Sequence, residues 1–288
     1  MLIVKIHGGL ANQMFQYALY KSIMKKGNKV YCDSTTFVPS WGFDDLNLED
    51  IFPNLQVKEA DITSIKKLSL SESFIDKVKR KIGLSKSSHF YETAYTFNNS
   101  IFDLKSNTYL DGYWQTEKYF NHIAEEIRSD FTFSDFSDKK NIDLLLKLEQ
   151  QESVSIHVRK GADYKKSIVS GTCEIDYYNG AIDIIKKKVK NPKFFVFTDN
   201  KSWVKENLDH LEFTLIDWNP VTGPSNYLDM QLMSKCKHNI IANSSYSWWG
   251  AWLNTNFKKV VIGPKLWFSK NTINYDSSDI LPKEWISI

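Results

Sequence analysis

The chain has 288 residues, of which 42% are hydrophobic, 14% aromatic and 25% charged, which excludes disordered, collagen-like and disulfide-scaffold classes. Its 37 basic and 34 acidic residues leave a net charge of +3, too mild for bulk nucleic-acid binding. Cys32, Cys173 and Cys236 stand far apart without CxxC spacing, so they suggest neither a metal cluster nor a disulfide set and fit a reducing compartment. Gly8 and Gly9 interrupt the apolar N-terminus too early for a signal peptide. The longest uncharged stretch, 239–257, is too rich in Asn and Ser to span a bilayer. These features predict a soluble, cytoplasmic protein, and the length fits two domains of middling size.

Leu2 to Ile6 reads as a short buried strand running into the Gly-rich turn 7–13. Met14, Phe15, Ala18, Leu19 and Ile23 then recur at helical spacing, and Lys25, Lys26 and Gly27 supply a stop. A second strand follows at 29–32, completing the opening of an α/β domain. The stretch from Ile65 to His89 is rich in lysine, and Phe74, Ile75, Val78 and Ile82 give it one weak apolar face. It reads either as a solvated helix or as a basic helix lying on an anionic membrane. Pattern returns with a strand at 108–114 and a helix at 117–128.

From residue 153 onward, strands at 153–159, 194–198, 213–216, 239–242 and 260–262 alternate with helices at 176–189, 201–207, 225–235 and 246–254. Short apolar runs separated by helices predict a parallel, doubly wound sheet. The polar segment 135–141 is the expected seam, giving an N-terminal α/β domain over 1–140 and a C-terminal one over 141–288.

Ligands of open parallel sheets sit at the carboxyl ends of the strands. Here those ends carry 8–13, 157–164, 198–199 and 243–249. The first loop lacks G-x-G-x-x-G spacing, yet it places backbone N–H groups and the Asn12 amide at a helix N-terminus that favours an anion. Arg159 at the end of its strand could grip phosphate oxygens in bidentate fashion, with Lys160 and Gly161 beside it, or pair structurally with Asp163. Ser244, Ser245 and Ser247 with the following helical N–H groups make a phosphate cradle, or an ordinary N-cap. Asp199 could accept bonds from a ribose or base, or cap a helix. No Asp-x-Asp stands at a strand end and the histidines show no metal-ligand spacing, so no metal is expected and cations with helix termini would neutralise a diphosphate. Tyr113, Trp114 and Gln115 at a strand end could stack on a sugar ring, or Trp114 could be core.

Five ordered motifs carry a resemblance. They are Gly8 to Ala18, the His157-x-Arg159 loop, Asp111 to Phe120, Phe194 to Asp199, and Ile240 to Asn254 with its Asn243-Ser244-Ser245-Tyr246-Ser247-Trp248-Trp249-Gly250 core. Together they resemble the alpha-1,2-fucosyltransferases of glycosyltransferase family 11. The departures are Ala11 where the family has Gly, Lys160 where its basic loop has a second Arg, and Ala162 as an extra residue before Asp163.

The resemblance implies a GT-B-like pair of Rossmann-type domains facing across a cleft. The final segment would pack back on the N-terminal domain. GDP-fucose would be the donor, held mainly by the C-terminal domain, with no cofactor and no metal. Fucose would pass with inversion to the 2-hydroxyl of a terminal galactose on an oligosaccharide or lipid-linked glycan, in surface-polysaccharide synthesis at the inner face of a bacterial membrane. The resemblance puts Arg159 on the β-phosphate beside His157, Asp199 on the guanine side, Ser244, Ser245 and Ser247 on phosphate, and Asn12 toward the diphosphate or fucose. Asp163 is the candidate base, and Tyr113, Trp114 and Gln115 the candidate acceptor contacts. The rival readings are transfer from another nucleotide sugar or to another linkage, and a sugar-binding protein without catalysis.

Overall fold

The computed structural model describes residues 1–35, 48–69, 78–79, 82, 84, 88–104, 107–161, 170–269 and 276–288. The chain divides into one compact unit of residues 1–132 with 278–280, and a second of 133–277 with 281–288. The division therefore falls at Thr132 rather than at residue 140, and only 278–280 of the final segment associate with the first unit. Each unit is an α/β fold built on its own parallel sheet.

In the first unit β1 (Leu2–Lys5), β2 (Val30–Asp33), β3 (His89–Tyr91) and β4 (Thr108–Asp111) lie in the order β2-β1-β4-β3, every pair parallel. The chain moves outward from β1 to β2 and later returns to the other side of β1, which makes the β1/β4 boundary the switch point of the sheet. Helix Leu10–Lys25 buries Leu10, Met14, Phe15, Tyr17, Ala18, Leu19 and Ile23, and even Gln13, Gln16 and Ser22. A helix buried on all sides must satisfy its polar groups internally. Ser22 Oγ accordingly donates to the Tyr119 carbonyl at 2.6 Å, and Gln16 Nε2 to the Gly112 carbonyl at 3.0 Å.

In the second unit β5 (Ser153–Val158), β6 (Lys193–Thr198), β7 (Phe213–Ile216), β8 (His238–Ile240), β9 (Val261–Gly263) and β10 (Ile286–Ser287) form a parallel sheet in the order β10-β9-β8-β5-β6-β7. Its switch point lies between β5 and β8. β5 is buried at every residue, as expected of a central parallel strand. Val154, Ile156 and Val158 pack against Tyr178, Ile182 and Ile185 of helix Ile175–Lys188.

Helix Ser245–Leu253 packs Gly250 against Met233 of helix Leu228–Lys235, where an added Cβ would come within 3.0 Å of the Met233 Cβ. Trp248, Trp249 and Trp252 form a ring cluster joined by Trp285, with Trp248 and Trp249 fully buried. These tryptophans are core.

Three expectations are corrected. The helix over 117–128 is instead two short 3-10 turns, Glu117–Tyr119 and Asn121–Ile123, followed by a helix at Ala124–Asp130, because Tyr119, Phe120 and Ile123 are drawn into the core. The strand at 108–114 ends at Asp111, where the chain turns. The polar seam 135–141 leads into an unforeseen helix, Lys139–Gln150, capped by Asp138 accepting from Asn141 N at 2.9 Å. In the basic segment, Ile65 and Leu68 of helix Ile62–Leu68 pack with Ile3 and Tyr109, so that helix spends its apolar face on its own sheet. Phe74 and Ile75 lie outside the described residues, while Val78, Ile82 and Leu84 are exposed. No helix among the described residues is long and apolar enough to cross a membrane, and all three cysteines are buried and free.

Replacing Trp248 by Ala removes the centre of the tryptophan cluster. Urea unfolding should show a loss of about 3–5 kcal/mol, the usual cost of deleting a buried large aromatic. A loss below about 1 kcal/mol would contradict the packing described.

Candidate functional site

β5 and β6 run level, with Val158 opposite Thr198, so the next residues, Arg159 and Asp199, leave the sheet side by side. Arg159 Nη1 donates to Asp199 Oδ2 in a short ion pair, and Lys160 N donates to Asp199 Oδ1 at 2.7 Å. Arg159 thus pairs with Asp199, and the pairing weighed with Asp163 lies outside the described residues. The Asp199 side chain is only 10% exposed, while that of Arg159 keeps 33% of its surface open. An arginine carries five N–H donors in a planar fork, so anchoring one edge to a carboxylate fixes the plane of the rest.

Asn200 completes the corner. Its Nδ2 donates to the Lys160 carbonyl at 2.9 Å, and its Oδ1 caps helix Lys201–Asn207 by accepting from Trp203 N at 3.0 Å. Capping therefore falls to Asn200 rather than to Asp199. Lys160 is buried, its Nζ 2.6 Å from Glu174 Oε1 and 5.2 Å from the Trp203 ring centre. A cavity of about 460 Å³ opens beside it, lined by Lys160, Gly171, Glu174, Asn200 and Trp203 among others.

His157, one residue inside the strand end, has its ring 5.8 Å from that of Tyr246, and its Nδ1 is buried without a partner among the described residues. Burial depresses its pKa to about 4, with Asp199 raising and Arg159 lowering it, so the ring is neutral at pH 7. Across the switch point, Asn243 is buried, donating to the Trp267 carbonyl at 2.9 Å and accepting from Cys173 Sγ at 3.4 Å. Ser244 is the N-cap residue of helix Ser245–Leu253, with no side-chain cap bond. Ser244 and Ser245 are half-buried, whereas Ser247 is buried and bonds back to the Ser244 carbonyl at 3.3 Å. Arg159, Asp199, His157, Ser244 and Ser245 thus gather at one end of one sheet, and the Ser247 hydroxyl serves the helix itself.

The first unit repeats the logic. Val4 lies opposite Leu110, so Lys5 and Asp111 are neighbours and pair at 3.0 Å. Asp111 also meets His89 Nε2 at 3.3 Å and His7 Nε2 at 3.7 Å. Burial pushes its carboxyl up, but the His89 bond and the Lys5 charge outweigh this and hold it below the usual range. The Gly-rich turn adopts φ +79° at Gly8, a left-handed conformation that glycine reaches without strain. His7 N donates to Gln16 Oε1 at 2.8 Å, and Gln13 Nε2 to the Gly8 carbonyl at 2.9 Å, locking the turn onto the helix it starts. Asn12 Oδ1 accepts from Gln115 Nε2 at 2.8 Å, which brings two expected site residues together. Tyr113 lies half-buried with its ring 4.9 Å from that of His7. Trp114 is 1% exposed and packed edge-on by Tyr119, so its ring faces the core rather than a ligand.

Glu92 is the residue the motifs miss. Following β3, it accepts from Tyr113 N at 2.6 Å and Trp114 N at 3.0 Å, clamping a turn in which Trp114 holds the strained φ of +57°. Gly112 is required there, since a Cβ would stand 2.5 Å from the Glu92 Cβ. Burial raises the Glu92 pKa to about 7 against the two N–H bonds that lower it. The carboxyl gave no sequence signal because its three-residue strand begins where the lysine-rich stretch ends.

A carboxyl whose pKa rises from 4.5 to about 7 on folding favours the native state fully below pH 4.5 and loses that contribution as pH rises through 7. Glu92→Gln should therefore gain stability relative to the native chain between pH 4.5 and 8, by up to about 3 kcal/mol, in urea titrations. A difference that stays flat with pH would contradict the burial of this carboxyl.

Among the described residues no group of three His, Cys, Asp or Glu side chains is placed to hold a metal ion. The family model for glycosyl transferase family 11 matches residues 83–288. The chain is 31% identical over 299 residues to an alpha-1,2-colitosyltransferase of Escherichia coli, covering 100% of this chain and 98% of that protein. It is 29% identical over 318 residues to the O-antigen biosynthesis glycosyltransferase WbnK of Escherichia coli, covering 98% and 99% of the two chains. Galactoside alpha-(1,2)-fucosyltransferase 1 of Saimiri boliviensis boliviensis is 27% identical over 158 residues, 50% of this chain and 42% of that protein. The motifs at the strand ends and the extent of these matches agree: the chain belongs to glycosyl transferase family 11.

Proposed function

We propose that the protein is an inverting, metal-independent alpha-1,2-fucosyltransferase that moves L-fucose from GDP-fucose to the 2-hydroxyl of a terminal galactose on a surface glycan. The observation that carries this reading is the Arg159–Asp199 pair, which holds a guanidinium at the carboxyl ends of β5 and β6 in a glycosyltransferase. Departure of GDP gathers negative charge on the β-phosphate as the sugar becomes oxocarbenium-like. A preorganised Arg159, the Ser244 and Ser245 hydroxyls and the N–H groups opening helix Ser245–Leu253 lower that barrier electrostatically. A carboxylate offers about four acceptor positions. Asp199 uses two to aim Arg159 and hold Lys160 N, and the others suit the guanine contact.

In the first unit Asn12 faces the donor sugar or diphosphate, and Tyr113 with Gln115 contacts the acceptor. Asp163 serves as base, unless the reaction is dissociative enough to need none. The segment from Ile65 to His89 contacts an anionic membrane through its lysines and the exposed Val78, Ile82 and Leu84. A second donor reading is favoured by the full-length match to an alpha-1,2-colitosyltransferase: the donor sugar is then colitose rather than fucose.

The test is turnover of GDP-fucose and of nucleotide-linked colitose against a panel of galactose-terminated oligosaccharides, with and without EDTA, followed by linkage analysis. The expected result is a 1,2-linked product of inverted configuration from GDP-fucose, with EDTA without effect. Arg159→Ala should lower kcat by about 10²–10³, the cost of one charge-stabilising donor. Near-normal turnover by that variant would overturn the assignment, and binding of sugar without any transfer would make the protein a non-catalytic binder.

A further inference from the structure

At the amino-terminal ends of β5, β6 and β8, opposite the strand ends that carry Arg159 and Asp199, the second unit has a groove of about 530 Å³. Its lining includes Lys188, Lys190, Lys193 and Lys258 with a single carboxylate, Glu152. That carboxylate is already engaged, by Lys237 Nζ at 3.0 Å and His238 Nε2 at 3.3 Å. None of the four lysines takes part in an ion pair among the described residues, and all are exposed. Lys186 and Lys187 extend the cluster along the last turn of helix Ile175–Lys188. The neighbouring Lys259 is different: its Nζ caps the Ala251 and Asn254 carbonyls at 2.8 and 2.7 Å.

Beside this groove stands Phe257, 90% exposed, with Lys258 Nζ 5.4 Å from its ring centre. A large apolar side chain left this open costs free energy in water that burial recovers. An aromatic ring among uncompensated lysines matches a surface that is anionic outside and apolar just beneath. Every cation lining this groove is lysine, a compact hydrated charge suited to diffuse headgroup attraction rather than to bidentate gripping of one phosphate.

We propose that this groove and Phe257 form a docking surface for an anionic phospholipid membrane, independent of the basic segment in the first unit. The lysines supply long-range attraction to headgroup phosphates, and Phe257 inserts at the interface. The contact presses the amino-terminal end of the sheet to the lipid and leaves the carboxyl-terminal strand ends of that unit uncovered.

The test is cosedimentation of the full chain with phosphatidylcholine vesicles and with vesicles containing 30% phosphatidylglycerol, at about 50 and 150 mM salt. The native chain is expected to bind the anionic vesicles, more weakly at the higher salt, and to ignore the neutral ones. Combined Lys188→Gln, Lys190→Gln, Lys193→Gln and Lys258→Gln should weaken binding by roughly 10²–10³-fold. Phe257→Ser should weaken it about tenfold while leaving the salt dependence unchanged. Both effects should persist when Lys66, Lys67 and Lys79 are neutralised, and circular dichroism of each variant checks its fold. The proposal is overturned if the native chain shows no preference for anionic vesicles, if the fourfold variant binds them as the native chain does, or if a single-stranded RNA competes the protein off them.

Discussion

Two parallel strands in level register place an arginine and an aspartate side by side, and the site in the second unit depends on the ion pair that results. Because β5 and β6 are paired through Val158 and Thr198, Arg159 and Asp199 need no loop excursion to meet. The carboxylate then gathers the neighbouring backbone through Lys160 N, and Asn200 ties the Lys160 carbonyl to the cap of the next helix. A guanidinium held in this way loses little orientational freedom when an anion arrives, which is the condition for electrostatic stabilisation without reorganisation. The neutral, buried His157 behind it keeps a competing positive charge out of the sheet end.

The first unit meets the same problem with opposite chemistry. Lys5 and Asp111 are brought together by register, but there the carboxylate is surrounded by Lys5, His7 and His89 and the cation is consumed. Beside it stand neutral amide and phenol groups, Asn12, Gln115 and Tyr113. Neutral hydrogen-bonding groups over a rigid turn suit sugar hydroxyls better than phosphate. Glu92 and Gly112 make that turn rigid, the one by accepting two main-chain N–H bonds, the other by leaving room for it.

Much of this is readable from residues alone, for identifiable reasons. The alternation of apolar runs and helices from residue 153 onward marks a buried parallel sheet, and the strand-end motifs at 157–161, 198–199 and 243–247 fall together because strand ends must. The Gly8-Gly9 turn is legible because it precedes a helix with an uninterrupted apolar period. Other features carry weak signals. Helix Lys139–Gln150 buries little beyond Asn141, Leu144 and Leu148, so its pattern is mostly polar. β3 is three residues long, and with it Glu92 disappears from view. That Asp199 stands beside Arg159 is not readable from spacing, since 40 residues separate them and only the register of β5 with β6 brings them level. Trp114 at a strand end reads equally as a stacking platform or as core, and the left-handed turn folds its ring inward against Tyr119.

The central claim is that the carboxyl ends of β5, β6 and β8 bind the diphosphate of a GDP-sugar. Hydrogen–deuterium exchange of the full chain with and without GDP tests it most directly. The account predicts slowed exchange at 158–161, 199–203 and 244–248, with 189–193 and 257–260 at the other end of the sheet unchanged. Protection confined to the latter segments, or no protection at saturating GDP, would contradict it.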